Sequence, residues 1–230
     1  MTSIDPVMTS RTALLLGGTG LVGGHLLNLL VADSRYTRVT SLVRRPLARD
    51  DYSGGRLDAR VVDFDRLAEQ WDFTATDVYC SLGTTMNSSR ETFRRVDHDY
   101  PVEVARLARE TGARRLAIVS AIGADPGSRV SLMRVKGETE RDIAALGYDS
   151  VEVFRPATLL GNRTKPRSGQ GVANAIGPVA ARAMVGSLRR FRPIRSEDLA
   201  AAMVAALQRD EPGVHIHTYP EIMALAATAH

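Results

Sequence analysis

The sequence predicts an α/β fold, a doubly wound parallel sheet with a small C-terminal lobe. Three observations carry this reading. Short apolar runs alternate with amphipathic helical segments between residues 12 and 157, the pattern of βαβ units. A glycine-rich turn follows the first run directly. The 230 residues are 44% hydrophobic and 24% charged, enough for one buried core and unlike a disordered, fibrous or polytopic membrane chain.

Thr12–Gly17 (TALLLG) reads as a buried strand that stops in glycines, and Leu21–Ala32 as the helix after it. Val39–Val43 is a second strand, Arg60–Val62 with its neighbours a third, and Asp77–Leu82 a fourth. Arg90–Glu110 has the periodicity of one long helix, stopped by Gly112. Leu116–Ser120 is a fifth strand, Val130–Leu146 a helix ending at Gly147, and Ser150–Phe154 a sixth strand. Right-handed crossovers place the site of such a sheet at the carboxyl ends of its strands. After Pro156 the character changes. Leu160–Pro193 is rich in Gly, Ala and Arg without a clear strand, a helix returns at Ser196–Leu207, and the tail holds room for one strand (VHIHTY) and a short helix. Residues 1–11 read as a flexible arm, 12–157 as the main domain, and 158–230 as a lobe integrated with it.

No apolar stretch of about 18 residues lacks charge, so no membrane insertion is expected. Met1–Thr12 contains Asp5 and Pro6 and no apolar signal core. Cys80 is the one cysteine, which excludes an intramolecular disulfide and a cysteine-based zinc site and points to a reduced, cytoplasmic compartment. The net charge is +4, and the only lysines among 30 basic residues are Lys136 and Lys165. Lys136 is therefore conspicuous.

The strongest local signal is Gly17-Gly18-Thr19-Gly20-Leu21-Val22-Gly23. Gly17 permits a tight turn out of the strand, Gly20 lets a pyrophosphate approach the backbone, and Gly23 lets the helix pack against the sheet. The helix N-terminus offers free N–H groups and a positive dipole end to phosphates. Strand, turn and helix in this order make the segment a Rossmann-like NAD(P) fingerprint. The second strand ends in Arg44 and Arg45, where an NAD site places a carboxylate. A guanidinium can pair with a 2′-phosphate, which favours NADP(H) over NAD(H); the alternative is two solvated arginines. Asp63 and Phe64 close the third strand. Asp63 either accepts from the adenine amino group or caps a helix.

The glycine motif, Cys80-Ser81-Leu82-Gly83-Thr84-Thr85, Arg95-Val96-Asp97-His98-Asp99-Tyr100, Val119-Ser120-Ala121, Val135-Lys136-Gly137-Glu138 and Phe154-Arg155-Pro156 follow one another in an order that resembles atypical short-chain dehydrogenases/reductases. The likeness is greatest to the Tat-interacting-protein-like and NmrA-like NAD(P)-binding branch, and it spans residues 12 to 208. It implies that Cys80, Ser81, Leu82, Gly83 and Thr84 line the nicotinamide ribose and that Arg155 and Pro156 flank the nicotinamide. It further implies that Ser120 hydrogen-bonds a substrate carbonyl and that Lys136 holds the ribose hydroxyls. One departure stands out. Four residues before the lysine, where the branch has a tyrosine that exchanges the proton, this chain has Leu132. Ser131 is off that helical face, and Tyr148 lies beyond Gly147.

Three further features have competing readings. Asp97 and His98 open the long helix: His98 could supply the missing proton or be a surface or capping group. His215 and His217 share a face of the tail strand with no carboxylate partner indicated, and no metal site is expected. Residues 162–195 hold Arg163, Lys165, Arg167, Arg182, Arg189, Arg190, Arg192 and Arg195 and no acid. Such a stretch suits an acidic small-molecule substrate, a nucleic acid, an anionic membrane surface, an acidic protein partner or plain solvation. Phe191 is its only aromatic, which disfavours nucleic acid. Two functions follow: an NADP(H)-dependent oxidoreductase using Ser120 and Lys136, or a non-catalytic dinucleotide-binding sensor.

Overall fold

The computed structural model describes residues 10–47, 55–84, 88–161 and 184–229. Its strands are β1 (Arg11–Leu16), β2 (Tyr36–Val43), β3 (Leu57–Val61), β4 (Asp77–Cys80), β5 (Arg115–Val119), β6 (Ser150–Phe154), β7 (Leu159–Leu160), β8 (Ile194–Arg195) and β9 (Gly213–His217). Its helices are α1 (Leu21–Ala32), α2 (Arg90–Arg94), α3 (Tyr100–Glu110), α4 (Ser131–Ala144), α5 (Ser196–Arg209) and α6 (Tyr219–Ala227). One sheet of seven parallel strands runs in the order β3-β2-β1-β4-β5-β6-β9. Chain direction across the sheet reverses between β1 and β4. The crevice at their carboxyl ends is the switch point where such sheets bind ligands.

Alternate side chains bury the sheet on both faces. Leu15, Tyr79, Ala117 and Phe154 pack against α1, α5 and α6. Leu14, Leu16, Val78, Leu116 and Val153 pack on the other side against α3 and Ile143 of α4. Two covered faces explain why the inner strands read as unbroken apolar runs. In α5 the buried residues include Ala200, Ala201, Ala202, Ala205 and Ala206, small side chains that suit its burial against α1 and α6.

Two strands start earlier than the sequence predicts. β2 begins at Tyr36 rather than Val39, and β3 begins at Leu57. β3 is the sheet edge, and Ala59, Arg60 and Val61 are exposed, so its apolar pattern is weak. Parallel pairing of Val39 with Leu57 fixes its start instead. The tail strand and last helix form as expected. β7 and β8 pair over two residues each at the two ends of the Leu160–Pro193 region read as strand-free, a ladder too short for periodicity to register. Residues 162–183, with Arg163, Lys165, Arg167, Arg182 and most of the apolar segment Val172–Leu188, lie outside the described residues, as does most of the N-terminal arm.

The predicted long helix over residues 90–110 is interrupted. Arg95–Asp99 forms a π-helical turn between α2 and α3, and the Tyr100 N–H reaches back to the Arg95 carbonyl. Pro101 is the cause. It has no N–H to give the Asp97 carbonyl four residues earlier. The Thr139 hydroxyl of α4 lies 2.8 Å from that carbonyl and 2.8 Å from the Val135 carbonyl, and shares its one proton between them. The turn widens the helix at Asp97, and such turns recur at functional sites.

At the opposite, amino end of the sheet lies a buried polar cluster. Tyr36 donates to Asp77 at 2.6 Å and its hydroxyl lies 2.8 Å from that of Tyr79. Arg115 joins Asp77 to Asp210, each at 2.7 Å. Tyr79 therefore belongs to the core and not to the cofactor side.

Two predictions follow from these contacts. Thr139→Val removes the buried hydroxyl shared by the Asp97 and Val135 carbonyls and is expected to cost about 1 kcal/mol, read as a lower urea midpoint at unchanged m. The Arg115 hydrogen bond holds the Asp210 carboxyl below its usual 3.8. A carboxyl lowered in the folded state stabilises it above its unfolded value and loses that contribution as pH falls through the folded value. Asp210→Asn tolerates the left-handed backbone there, φ 56°. Urea unfolding should find it less stable than wild type at about pH 7 and level with it near about pH 2.

Candidate functional site

The turn from β1 into α1 is the most crowded backbone crossing in the site. Gly17 has φ +81°, and a Cβ on Gly23 would lie 1.9 Å from the Gly17 carbonyl oxygen. The Gly20 N–H closes the turn on that carbonyl at 2.8 Å. Thr19 and Gly20 are exposed, Leu21 is half-buried, and Gly18 and Val22 are buried. Helix α1 starts at Gly20 with no side-chain cap and no acid in its first turn. Its first N–H groups and positive end therefore face the switch point without a protein partner, which fits the pyrophosphate of a dinucleotide.

Beyond β2 and β3 lies an open cleft of about 560 Å³, lined by Arg44, Val61, Asp63, Phe64, Arg95 and Tyr100 among others. The Phe64 and Tyr100 rings lie 5.3 Å apart. Tyr100 donates to Asp65 at 2.6 Å, and Arg95 pairs with Asp65 and lies over the Tyr100 ring. The cleft has the size and aromatic wall an adenosine needs. Arg44 lines it; Arg45, also exposed, does not. Asp63 accepts the Asp65 N–H at 3.0 Å and so caps the short 3₁₀ helix Phe64–Gln70, while still lining the cleft.

Next to β4 the site turns on Asp97. One carboxylate oxygen lies 2.9 Å from the Lys136 ammonium. The other accepts from both the backbone N–H and the hydroxyl of Thr84, each at 2.8 Å. Asp97 thus ties the loop after β4 to α4. Lys136, 9% exposed, is held at the carboxyl edge. Ser81 donates to the Leu16 carbonyl at 3.0 Å and Gly83 lies beside Asp97. Cys80 and Leu82 differ from the expectation. The Cys80 side chain points into the core, where burial pushes its thiol up to about 11, and Leu82 packs on the same core. The Cys80 side chain is thus out of a ligand's reach, whereas Leu82 is half-buried.

Ser120 also departs from the role implied for it. Its hydroxyl donates to Glu140 of α4, and a hydroxyl has one proton to give. It is therefore not positioned as a donor to a carbonyl. Arg155 donates to both oxygens of the same glutamate, through Nε at 3.0 Å and through Nη2. Pro156 is buried and its carbonyl accepts from Ile122. Leu132 is half-buried in the first turn of α4. His98 bridges Asp99 and Asp142 at 2.7 and 2.9 Å, away from Lys136. Tyr148 donates to the Ala105 carbonyl and is buried. His217 does have a carboxylate partner, Glu152 at 2.5 Å, whereas His215 contacts the Pro212 carbonyl, so the two do not act together.

Sequence reasoning missed three groups. Asp97 stood in the sequence as a helix-start residue within the Arg95–Tyr100 segment of the resemblance, with no role of its own. Glu140 sits four residues after Lys136, so helical spacing alone puts it on the same face. Arg95 and Tyr100, at the two ends of the π turn, line the cleft. Asp97→Ala would leave the Lys136 ammonium buried and unpaired, at a cost of about 3–5 kcal/mol. Adding Lys136→Met should recover part of that loss in a double-mutant cycle of urea midpoints.

Comparisons with known proteins agree with this geometry. A family model described as NAD(P)H-binding matches residues 17–210. Rat Protein HTATIP2 is 34% identical over 172 residues, 74% of this chain and 71% of its own length. Protein FMP52, mitochondrial, of Eremothecium gossypii is 33% identical over 222 residues, 93% of this chain and 96% of its own. Among solved structures, the Helicobacter pylori ADP-L-glycero-D-manno-heptose-6-epimerase superposes with a TM-score of 0.66 at 16% identity, covering 99% of this chain and 85% of that one. MoeE5 in complex with UDP-glucose and NAD superposes at 0.64, again with 16% identity, over 94% and 81%. At such identities these structures speak for the doubly wound fold alone. The chain belongs to the NAD(P)H-binding family, in the atypical short-chain dehydrogenase/reductase-like branch that holds HTATIP2 and FMP52.

Proposed function

We propose that this chain is an NADP(H)-dependent oxidoreductase acting on a small molecule at an alcohol or carbonyl carbon. The observation that carries the reading is Lys136, a buried ammonium held 2.9 Å from Asp97 at the carboxyl edge of the sheet, beside the Thr84 loop. Burial of a charge is costly unless it has a partner; Asp97 supplies that partner and leaves the ammonium at the carboxyl edge, where it can hold ribose hydroxyls next to a reacting ring. The cofactor, when bound, supplies hydride transfer at its nicotinamide ring. The chain's own residues bind and orient it. The α1 N-terminus takes the pyrophosphate, the cleft beside Phe64 and Tyr100 takes the adenosine, and Arg44 takes a 2′-phosphate. Lys136 takes the ribose hydroxyls. NADP(H) is preferred because the β2 end presents arginines and no carboxylate; NAD(H) remains a weaker ligand.

A second reading, a dinucleotide sensor that reports to a protein partner, is favoured by Leu132, which cannot exchange a proton. Arg189 and Arg190, on the short 3₁₀ helix Gly186–Phe191, would meet an acidic partner or substrate. The buried free Cys80 suits a reducing compartment such as the cytoplasm. The relatives called FMP52 are named mitochondrial, and a reducing mitochondrial compartment would satisfy the same condition. Among the described residues no helix is long and apolar enough to cross a membrane.

Calorimetric titration of the purified protein with NADPH and NADH tests the cofactor. NADPH is expected to bind more tightly, and Arg44→Ala to weaken it by about 10–100-fold, the worth of one charge-assisted hydrogen bond, with NADH little changed. Equal affinities in wild type would overturn the NADP(H) preference. Cofactor-dependent absorbance change with any carbonyl, alcohol or quinone separates the enzyme from the sensor.

A further inference from the structure

Leu132, Lys136 and Glu140 are spaced by four and share one face of α4. That face meets the carboxyl ends of β5 and β6. The Lys136 ammonium lies 3.5 Å from the Val119 carbonyl, one residue before Ser120. Where the first turn of the helix offers an inert leucine, the third offers a carboxylate.

The polarity of this carboxylate's contacts decides what it can do. Glu140 accepts from Arg155 through both oxygens and from the Ser120 hydroxyl through Oε1. Glu140 and Ser120 are each 7% exposed. With its proton committed to Glu140, Ser120 Oγ has only lone pairs to present. Among the described residues no N–H or O–H reaches those lone pairs. A ligand group resting on Ser120 must therefore donate. An alcohol O–H does so and a ketone oxygen does not.

Resting on the oxidoreductase reading above, we propose that Ser120 and Glu140 form an acceptor pair that selects an alcohol as substrate and receives its proton, in the place of the absent tyrosine. The proton leaves the alcohol oxygen for Ser120 Oγ as the Ser120 proton moves to Glu140 Oε1. The O–H bonding pair becomes the second bond of the new carbonyl, and the carbon's hydrogen leaves with its electron pair to the oxidised nicotinamide. The alcohol is oxidised, the nicotinamide reduced, and Glu140 ends neutral until it returns the proton to water. Ser120 is the catalytic residue of this pair. Glu140 acts through it, and Arg155 positions Glu140.

The test reads binding as well as turnover. Full-length protein is saturated with the redox-inert tetrahydro form of NADP. Ligand-observed NMR then compares matched probes, cyclohexanol with cyclohexanone and 1-phenylethanol with acetophenone. The alcohol of a pair should bind about tenfold or more tightly than its ketone, because a site built for a hydrogen-bonded hydroxyl rejects the analogue lacking it. Ser120→Ala keeps the Glu140–Arg155 pair intact, and Glu140→Gln keeps the side-chain shape; both should bring the ratio close to one. In turnover with NADP, Glu140→Gln should lower kcat by at least about 100-fold, the usual worth of acid–base assistance, and should remove the acid limb of the pH–rate profile, which a merely structural change would leave in place. Ketone preference, a ratio unchanged by either variant, or no binding of either member of a pair overturns the acceptor pair while the cofactor reading stands. Failure of wild type to bind the tetrahydro cofactor, or NADPH itself, removes the reading and the acceptor pair together.

Discussion

A methyl group at residue 23 would stand 1.9 Å from the Gly17 carbonyl, and the rest of the site depends on the absence of that methyl. Because α1 can lie this close to the end of β1, its uncapped N-terminus opens at the point where the sheet reverses direction. The same closeness lets Ser81 bond to the Leu16 carbonyl, which holds the first residue after β4 against the end of β1. Steric exclusion acts here more strongly than any single hydrogen bond. It is a short-range repulsion with no compliant side chain to absorb it, since the atom in the way belongs to the backbone.

A second constraint begins with a missing donor. Pro101 cannot satisfy the Asp97 carbonyl, so a residue of α4 does, and α3 is thereby attached to α4 at one point. The widened turn also frees the Asp97 side chain to face inward, where it meets both Lys136 and Thr84. One backbone defect thus sets the position of the lysine and of the loop after β4. Buried charges in this protein come in such sets. Lys136 has Asp97, Glu140 has Arg155, and Asp77 has Arg115, each with a hydroxyl or backbone donor completing the shell. The pairs lie at opposite ends of the sheet, and only those at the carboxyl end adjoin the open crevice.

Replacing a tyrosine by Leu132 removes a proton donor without removing the polar machinery around it. Ser120 and Lys136 remain, and their hydrogen bonds are made to Glu140 and Asp97. Direction matters more than identity here. The same serine is a donor or an acceptor to a ligand according to where its single proton goes.

The sequence by itself determined the doubly wound layers, the succession of strands and helices in the first half of the chain, and the glycine turn with its helix. It also brought Arg44, Asp63 and Phe64 to the ends of neighbouring strands. These features rest on local causes: the side-chain period of a strand or a helix, and the conformations that glycine alone adopts cheaply. Tertiary structure decided which charges meet. Asp97 and Lys136 stand 39 positions apart and Ser120 and Glu140 stand 20 apart, so no periodicity links either pair. It also decided that the Cys80 side chain turns into the core while Ser81 and Thr84 bond to Leu16 and Asp97, and that a predicted helix breaks at residue 95. A charge or a hydroxyl carries its chemistry wherever it lies, but its partner is set by which elements cross beside it, and that crossing follows from the packing of the whole sheet.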